Sequence, residues 1–147
     1  MILMIEKEQA DEKVKSGYLR IWLGFDALAI REDVAKKALD SLIEKLDEDK
    51  RVKVYMKKFG SAQKADSPFK GISEAWSVMA EVELVAKNMS DLVGMITEYG
   101  PSAIELLEPS KFGVDAGEAQ AILNTVADVM HRFAAAGVGG TVVVHGK

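Results

Sequence analysis

The sequence predicts one α+β domain built on a single antiparallel sheet with helices packed on one face, and three observations predict it. The first is the stretch Trp76–Ala86, WSVMAEVELVA. In it Trp76, Val78, Ala80, Val82, Leu84 and Ala86 alternate with Ser77, Met79, Glu81, Glu83 and Val85. A two-residue period marks a strand with one buried face, and this strand is long enough to need neighbours on both edges. The second is a pair of helical segments with apolar residues at three- and four-residue spacing, one before and one after the valine-rich middle of the chain. The third is the order of elements, β-α-β-β-α-β, which is the ferredoxin-like pattern. That pattern places the first and third strands centrally and leaves one long C-terminal helix over.

Residues 1–17 open the chain, and EKEQADEKVKSG within them is charged and poor in apolar residues; it reads as a tail or a short fraying helix. The domain follows from residue 18 to 147. Tyr18–Phe25 is the first strand, with Leu19, Ile21, Leu23 and Phe25 on one face and Tyr18, Arg20, Trp22 and Gly24 on the other. Arg31–Asp47 is a helix whose stripe is Val34, Ala38, Leu39, Leu42, Ile43 and Leu46. In RVKVYMKKF, Val52, Val54 and Met56 point one way and Lys53, Tyr55, Lys57 and Phe59 the other. Gly60–Ser73 reads as a turn-rich connector, long for a hairpin loop. Met89–Tyr99 is a compact helix capped by Asn88 or Ser90 and stopped by Gly100-Pro101. Gly94 inside it implies a close approach of helix to sheet, since glycine costs about 1 kcal/mol there relative to alanine. Ala103–Leu107 is the fourth strand. The helices are expected over the face bearing Leu19, Ile21, Val54, Val78, Val82 and Leu106.

The last helix runs over about 116–135, with Asp115 as cap, Glu118 completing a capping box, and Gly137, Gly139 and Gly140 ending it. TVVVH (141–145) follows as an edge strand or a tail. The sheet face away from the first two helices carries Tyr18, Trp22, Tyr55, Phe59, Met79 and Val85, more apolar surface than a monomer leaves wet. The last helix, with Ile122, Leu123, Val126, Met130 and Phe133, is therefore expected on that face with Phe133 buried, in its own subunit or exchanged with a partner.

Composition narrows the function classes. The chain has 147 residues, net charge −4 and no cysteine. The first suits one domain with a real core, and the charge offers no basic footprint for nucleic acid. The absence of cysteine excludes disulfides and thiol nucleophiles. No apolar run reaches membrane-spanning length, so the expected compartment is the cytoplasm. Scarce Asn and Gln beside plentiful Lys and Glu hint at a thermophilic source.

Candidate chemistry is sparse. Glu81, Glu83 and Glu105 on one sheet face can be read as hard oxygen ligands for Mg²⁺ or Ca²⁺. The favoured reading pairs them with Arg20, Lys53 and Lys57 across strands, so neither a metal site nor a cofactor is expected. His131 sits by Arg132 on the polar side of the last helix, His145 lies near the chain end, and neither has a catalytic neighbour in the sequence. The glycines of GVGG follow a helix and precede a strand, the reverse of a phosphate loop. Lys64 and Lys70 in the connector can close on an anion. Tyr18, Trp22, Tyr55 and Phe59 resemble a base-stacking platform, but the glutamates would repel phosphates. The ligand-binding candidates are thus Arg20, Trp22, Tyr55, Lys57, Glu81, Glu83, Lys64 and Lys70, with no catalytic residue assigned.

YGPSAIELLEP (Tyr99–Pro109) and MHRFAAAGVGG (Met130–Gly140) resemble segments of a family of small uncharacterised archaeal proteins. That resemblance implies no activity. The order of elements is also similar to small-molecule-sensing ACT-type domains, a fold-level likeness. The function expected is a binding or regulatory module that self-associates as a dimer or larger homo-oligomer and takes a small-molecule ligand, with no nucleic-acid or membrane partner. The alternatives are a small enzyme or divalent-metal protein using Glu81, Glu83 and Glu105, and, more weakly, RNA binding.

Overall fold

The long alternating stretch lies at the centre of the sheet. The structure, a computed structural model, describes residues 4–136. Its elements are α1 (Lys7–Lys15), β1 (Leu19–Ala29), α2 (Glu32–Glu48), β2 (Val52–Phe59), β3 (Gln63–Asp66), β4 (Glu74–Ala86), α3 (Met89–Tyr99), β5 (Ala103–Glu108) and α4 (Ala116–Ala135). The fold is α+β, and every strand pair is antiparallel. The hydrogen-bonded order is β2-β4-β1-β5, with β3 also on β4.

That fifth strand departs from the four-stranded ferredoxin-like sheet expected. β4 gives one whole edge to β1, from Trp76 opposite Ala29 to Ala86 opposite Leu19. Its other edge is shared: Ala80–Ala86 pair with β2, and Glu74–Ser77 pair with β3. The Gly60–Ser73 segment is therefore not a free connector. Its first half prolongs the β2 edge, and the true turn is confined to residues 67–73.

Leu19, Ile21, Leu23 and Phe25 of β1 join Val78, Ala80, Val82 and Leu84 of β4 in the core. From α2, Ala35, Leu39, Ile43 and Leu46 close over them, and α3 adds Leu92 and Met95. These α2 positions recur every three or four residues, so one stripe faces the sheet while the lysines and acids face water. Leu106 stands opposite Ile21 on the helix-covered side, yet it is 40% exposed because β5 is the sheet edge.

A β-bulge changes the facing of β2. Val54 pairs with Leu84, but Met56, not Tyr55, pairs with Glu83. One extra residue reverses the side on which everything after it points. Lys57 and Phe59 therefore lie opposite Val82 and Ala80 and point to the helix side, where Phe59 packs against the core and Lys36 of α2 lies over its ring. Met56 and Lys58 take the open side, contrary to the sequence expectation.

The charged opening is a helix, not a tail. Ala10 of α1 is fully buried, Ile5 N–H donates to the Val54 carbonyl at 3.1 Å, and α1 packs on β2 and β4. The expected place of the last helix is corrected. α4 packs on α3, not on the open sheet face, and Phe133 is 49% exposed. Asn88 caps α3 by accepting from the Asp91 amide, and Asp115 caps α4 by accepting from the Glu118 amide. The Glu118 carboxylate does not complete a capping box. It accepts from the Ser90 amide at 3.1 Å and so ties the two helix starts together. The expectations for Gly137, Gly139, Gly140, TVVVH and His145 lie outside the described residues.

A latch at the other end fixes α3 against the α2–β2 turn. Arg51 donates from Nε and Nη2 to Asp49 at 3.0 and 2.7 Å, and from Nη2 to Glu98 at 3.0 Å. Tyr99 donates to the second Asp49 oxygen at 3.0 Å. A Cβ at Gly94 would come within 2.9 Å of Arg51 Nη1. The mid-helix glycine thus admits a guanidinium, where a helix–sheet approach was expected.

Candidate functional site

The open sheet face gathers most of the sequence-predicted binding residues. Alternation along β1 puts Arg20 and Trp22 on it, alternation along β4 puts Glu81 and Glu83 beside them, and the bulge leaves Tyr55 pointing the same way. Trp22 Nε1–H donates to Glu81 at 3.1 Å and Tyr55 O–H donates to Glu83 at 2.6 Å. The two carboxylates are therefore held by neutral aromatic donors rather than by the expected Arg20, Lys53 and Lys57. Gly24 makes room for this layer. A Cβ there would lie 3.1 Å from both the Trp22 ring and the Met79 methyl.

Arg20 turns away from the glutamates. It pairs with Asp11 of α1 and with Glu108 of β5, the latter at 3.6 Å, and its guanidinium lies 5.1 Å from the Tyr55 ring centre. Its residue is 8% exposed, and its Nε has no hydrogen-bond partner among the described residues. Burial opposes the charge on Arg20, but Tyr55 and Asp11 outweigh it and the pKa is raised. Tyr55 is pushed up to about 12, first by burial and then by its bond to Glu83. It stays a neutral donor at any physiological pH.

Glu105 stands opposite Trp22 on β5 and is exposed. Among the described residues no group of three His, Cys, Asp or Glu is placed to hold a metal ion. Lys57 is excluded from this face by the bulge, and Lys58 takes its place opposite Glu81. Lys64 lies on β3 opposite Trp76, five residues along β4 from Glu81, so roughly 17 Å away. There it pairs with Glu74 at 3.8 Å. Lys70 lies in the 67–73 turn. His131 is exposed on α4. Sequence reasoning missed Asp11, Glu108 and Lys58. Ala10 and Val14, spaced by one helical turn, were the available sign that α1 had an inner side.

What this face presents is fixed acceptors beside an aromatic ledge. Chemically, such a surface offers acceptor oxygens to a hydrogen-bond donor. Among the described residues no helix is long and apolar enough to cross a membrane. Residues 20–147 match the model of the MJ0538 family, and the chain belongs to that uncharacterised family. No curated protein matches the chain, and no solved structure does.

Proposed function

We propose that the protein is a non-catalytic binding or regulatory module that self-associates through the outer side of α4. One observation carries this. Leu123, Val126, Met130 and Phe133 follow one another at three, four and three residues, the spacing of a coiled-coil seam, and are 62%, 47%, 41% and 49% exposed. The neighbouring seam, Ile122, Thr125 and Val129, is the half-buried side against α3.

A second copy of the same helix suits the outer seam. The positions flanking it are Gln120, Ala127 and Ala134 on one side and Ile122 and Val129 on the other. None is charged, so two copies meet without like-charge repulsion, and the alanines let the helices approach closely. The ferredoxin-like ground plan belongs to the same reading. Its support is the β-α-β-β-α-β order from β1 to β5 with β1 and β4 innermost; α1, β3 and α4 are additions to it.

Light scattering over a hundredfold range of concentration tests the proposal. The wild-type chain is expected to run as a dimer or larger, and Leu123→Glu with Phe133→Asp as a folded monomer with unchanged circular dichroism. A wild-type chain that stays monomeric throughout overturns it.

A further inference from the structure

The two outer edges of the sheet differ. At β2 the edge is guarded, because Ile5 N–H donates to the Val54 carbonyl and α1 packs beside it. On the far side β5 pairs with β1 alone, and among the described residues no backbone hydrogen bond runs outward from residues 103–108. We infer that this open edge takes up an extended segment of another protein as an added strand, one in which apolar residues alternate with lysine or arginine.

The chemistry of the occupant follows from the two rows of side chains that β5 presents. On the helix side Ile104 and Leu106 stand opposite Leu23 and Ile21, are 48% and 40% exposed, and prolong the core to the margin of the sheet. On the open side Glu105 stands opposite Trp22 and Glu108 opposite Arg20. The register shift between these pairs sets Leu107 aside as a bulge, so the two acids share one side although two residues separate them. Glu105 makes no hydrogen bond or ion pair among the described residues. Glu108 reaches Arg20 only at 3.6 Å, and its side chain is 54% exposed.

Opposite charges on facing strands attract and like charges repel. The open side of an added strand is therefore selected to be basic, and its helix side to be apolar. The edge itself supplies the rest: its unpaired N–H and C=O groups bond any extended backbone, main-chain bonds giving affinity and the side-chain rows specificity. The same charges disfavour a second copy of β5 as the occupant. Two such strands paired antiparallel about Glu105 would set the two Glu105 carboxylates face to face. The β5 edge and the α4 seam are different elements, so strand uptake and self-association are separately testable.

Fluorescence anisotropy of a labelled six-residue peptide alternating valine and lysine, titrated with the full chain, tests the inference. Saturable binding of one peptide per chain is expected. The fully N-methylated peptide, which keeps the charges and loses the backbone donors, should not bind, nor should one with its lysines in a single block. Glu105→Lys, at an exposed position, should weaken binding about tenfold and favour a valine–glutamate peptide, with the melting temperature of the free chain unchanged. Leu123→Glu with Phe133→Asp should bind as the wild type does. Absence of binding, equal binding of the N-methylated or blocked peptide, or equal affinity in Glu105→Lys overturns the inference. Binding gained only in Val143→Pro would give the edge to the chain's own end, and binding gained only on dilution would give it to a second copy; either result overturns it as well.

Discussion

Replacing Asp49 by Asn keeps the shape of the α2–β2 turn and removes its charge. The carboxylate accepts the Arg51 amide at 2.9 Å, the Arg51 guanidinium through both oxygens, and the Tyr99 hydroxyl. Its side chain is 11% exposed. Hydrogen bonding from Arg51 is the main cause that holds its pKa at about 2 against the ordinary 3.8, with burial opposing and the Arg51 amide and Tyr99 assisting. At about 1.4 kcal/mol per pH unit, that difference corresponds to roughly 2.5 kcal/mol of stability.

The sign follows from proton binding. Between pH 4 and pH 2 the unfolded chain has taken up the Asp49 proton and the folded chain has not, so stability rises with pH across that window. The contribution is complete above about pH 5, mostly lost by about pH 2 and gone by about pH 1. Urea denaturation of the wild type and Asp49→Asn at pH 7, 4 and 2.5 measures it. The remaining carboxylates titrate in both proteins and cancel in the difference. A gap of about 2–3 kcal/mol at pH 7 is expected, shrinking steadily below pH 4. A gap that is constant with pH, or below about 0.5 kcal/mol at pH 7, would refute the latch as the source of the shift.

Two further variants probe the same framework. Gly94→Ala gains about 1 kcal/mol of helix propensity but sets a Cβ 2.9 Å from Arg51 Nη1. It should stabilise an Arg51→Ala background more than the wild type, and an equal effect in both contradicts the contact. Tyr55→Phe strips Glu83 of its 2.6 Å donor and should lower the unfolding free energy by about 1 kcal/mol. An unchanged urea midpoint means that the sheet-face hydrogen bond contributes nothing.

Much of the scaffold was legible because its signals are local. Alternation from Trp76 to Ala86 found β4, the stripe from Leu39 to Leu46 found α2, and Asn88 and Asp115 are caps whose oxygens meet the expected amides. What escaped depends on partners. The bulge at Tyr55 exists only in the pairing of β2 with β4, and RVKVYMKKF alternates plausibly in either register after it. The error moved Lys57 and Phe59 to the wrong side and hid Lys58. β3, QKAD, has no apolar alternation, because its place is set by the β4 backbone beside it. The inner side of α1 is little more than Ala10 and Val14, too small a stripe to read against its charges.

The misplacement of α4 has a different origin. Its apolar residues sum to one wide face, from Ile122 through Leu123, Val126, Val129 and Met130 to Phe133. A helix docked on a single partner needs a narrower stripe. The sequence therefore records that α4 has much to cover, without dividing that surface among partners. The fold makes the division. α3 takes the half containing Ile122, Thr125 and Val129, and the sheet's open face, sheltered in part by α1 through Ala10 and Asp11, takes none of it. The half left over is an uninterrupted three-four seam with uncharged flanks, and the self-association we propose, a second helix of the same kind lying against it, would account for its width.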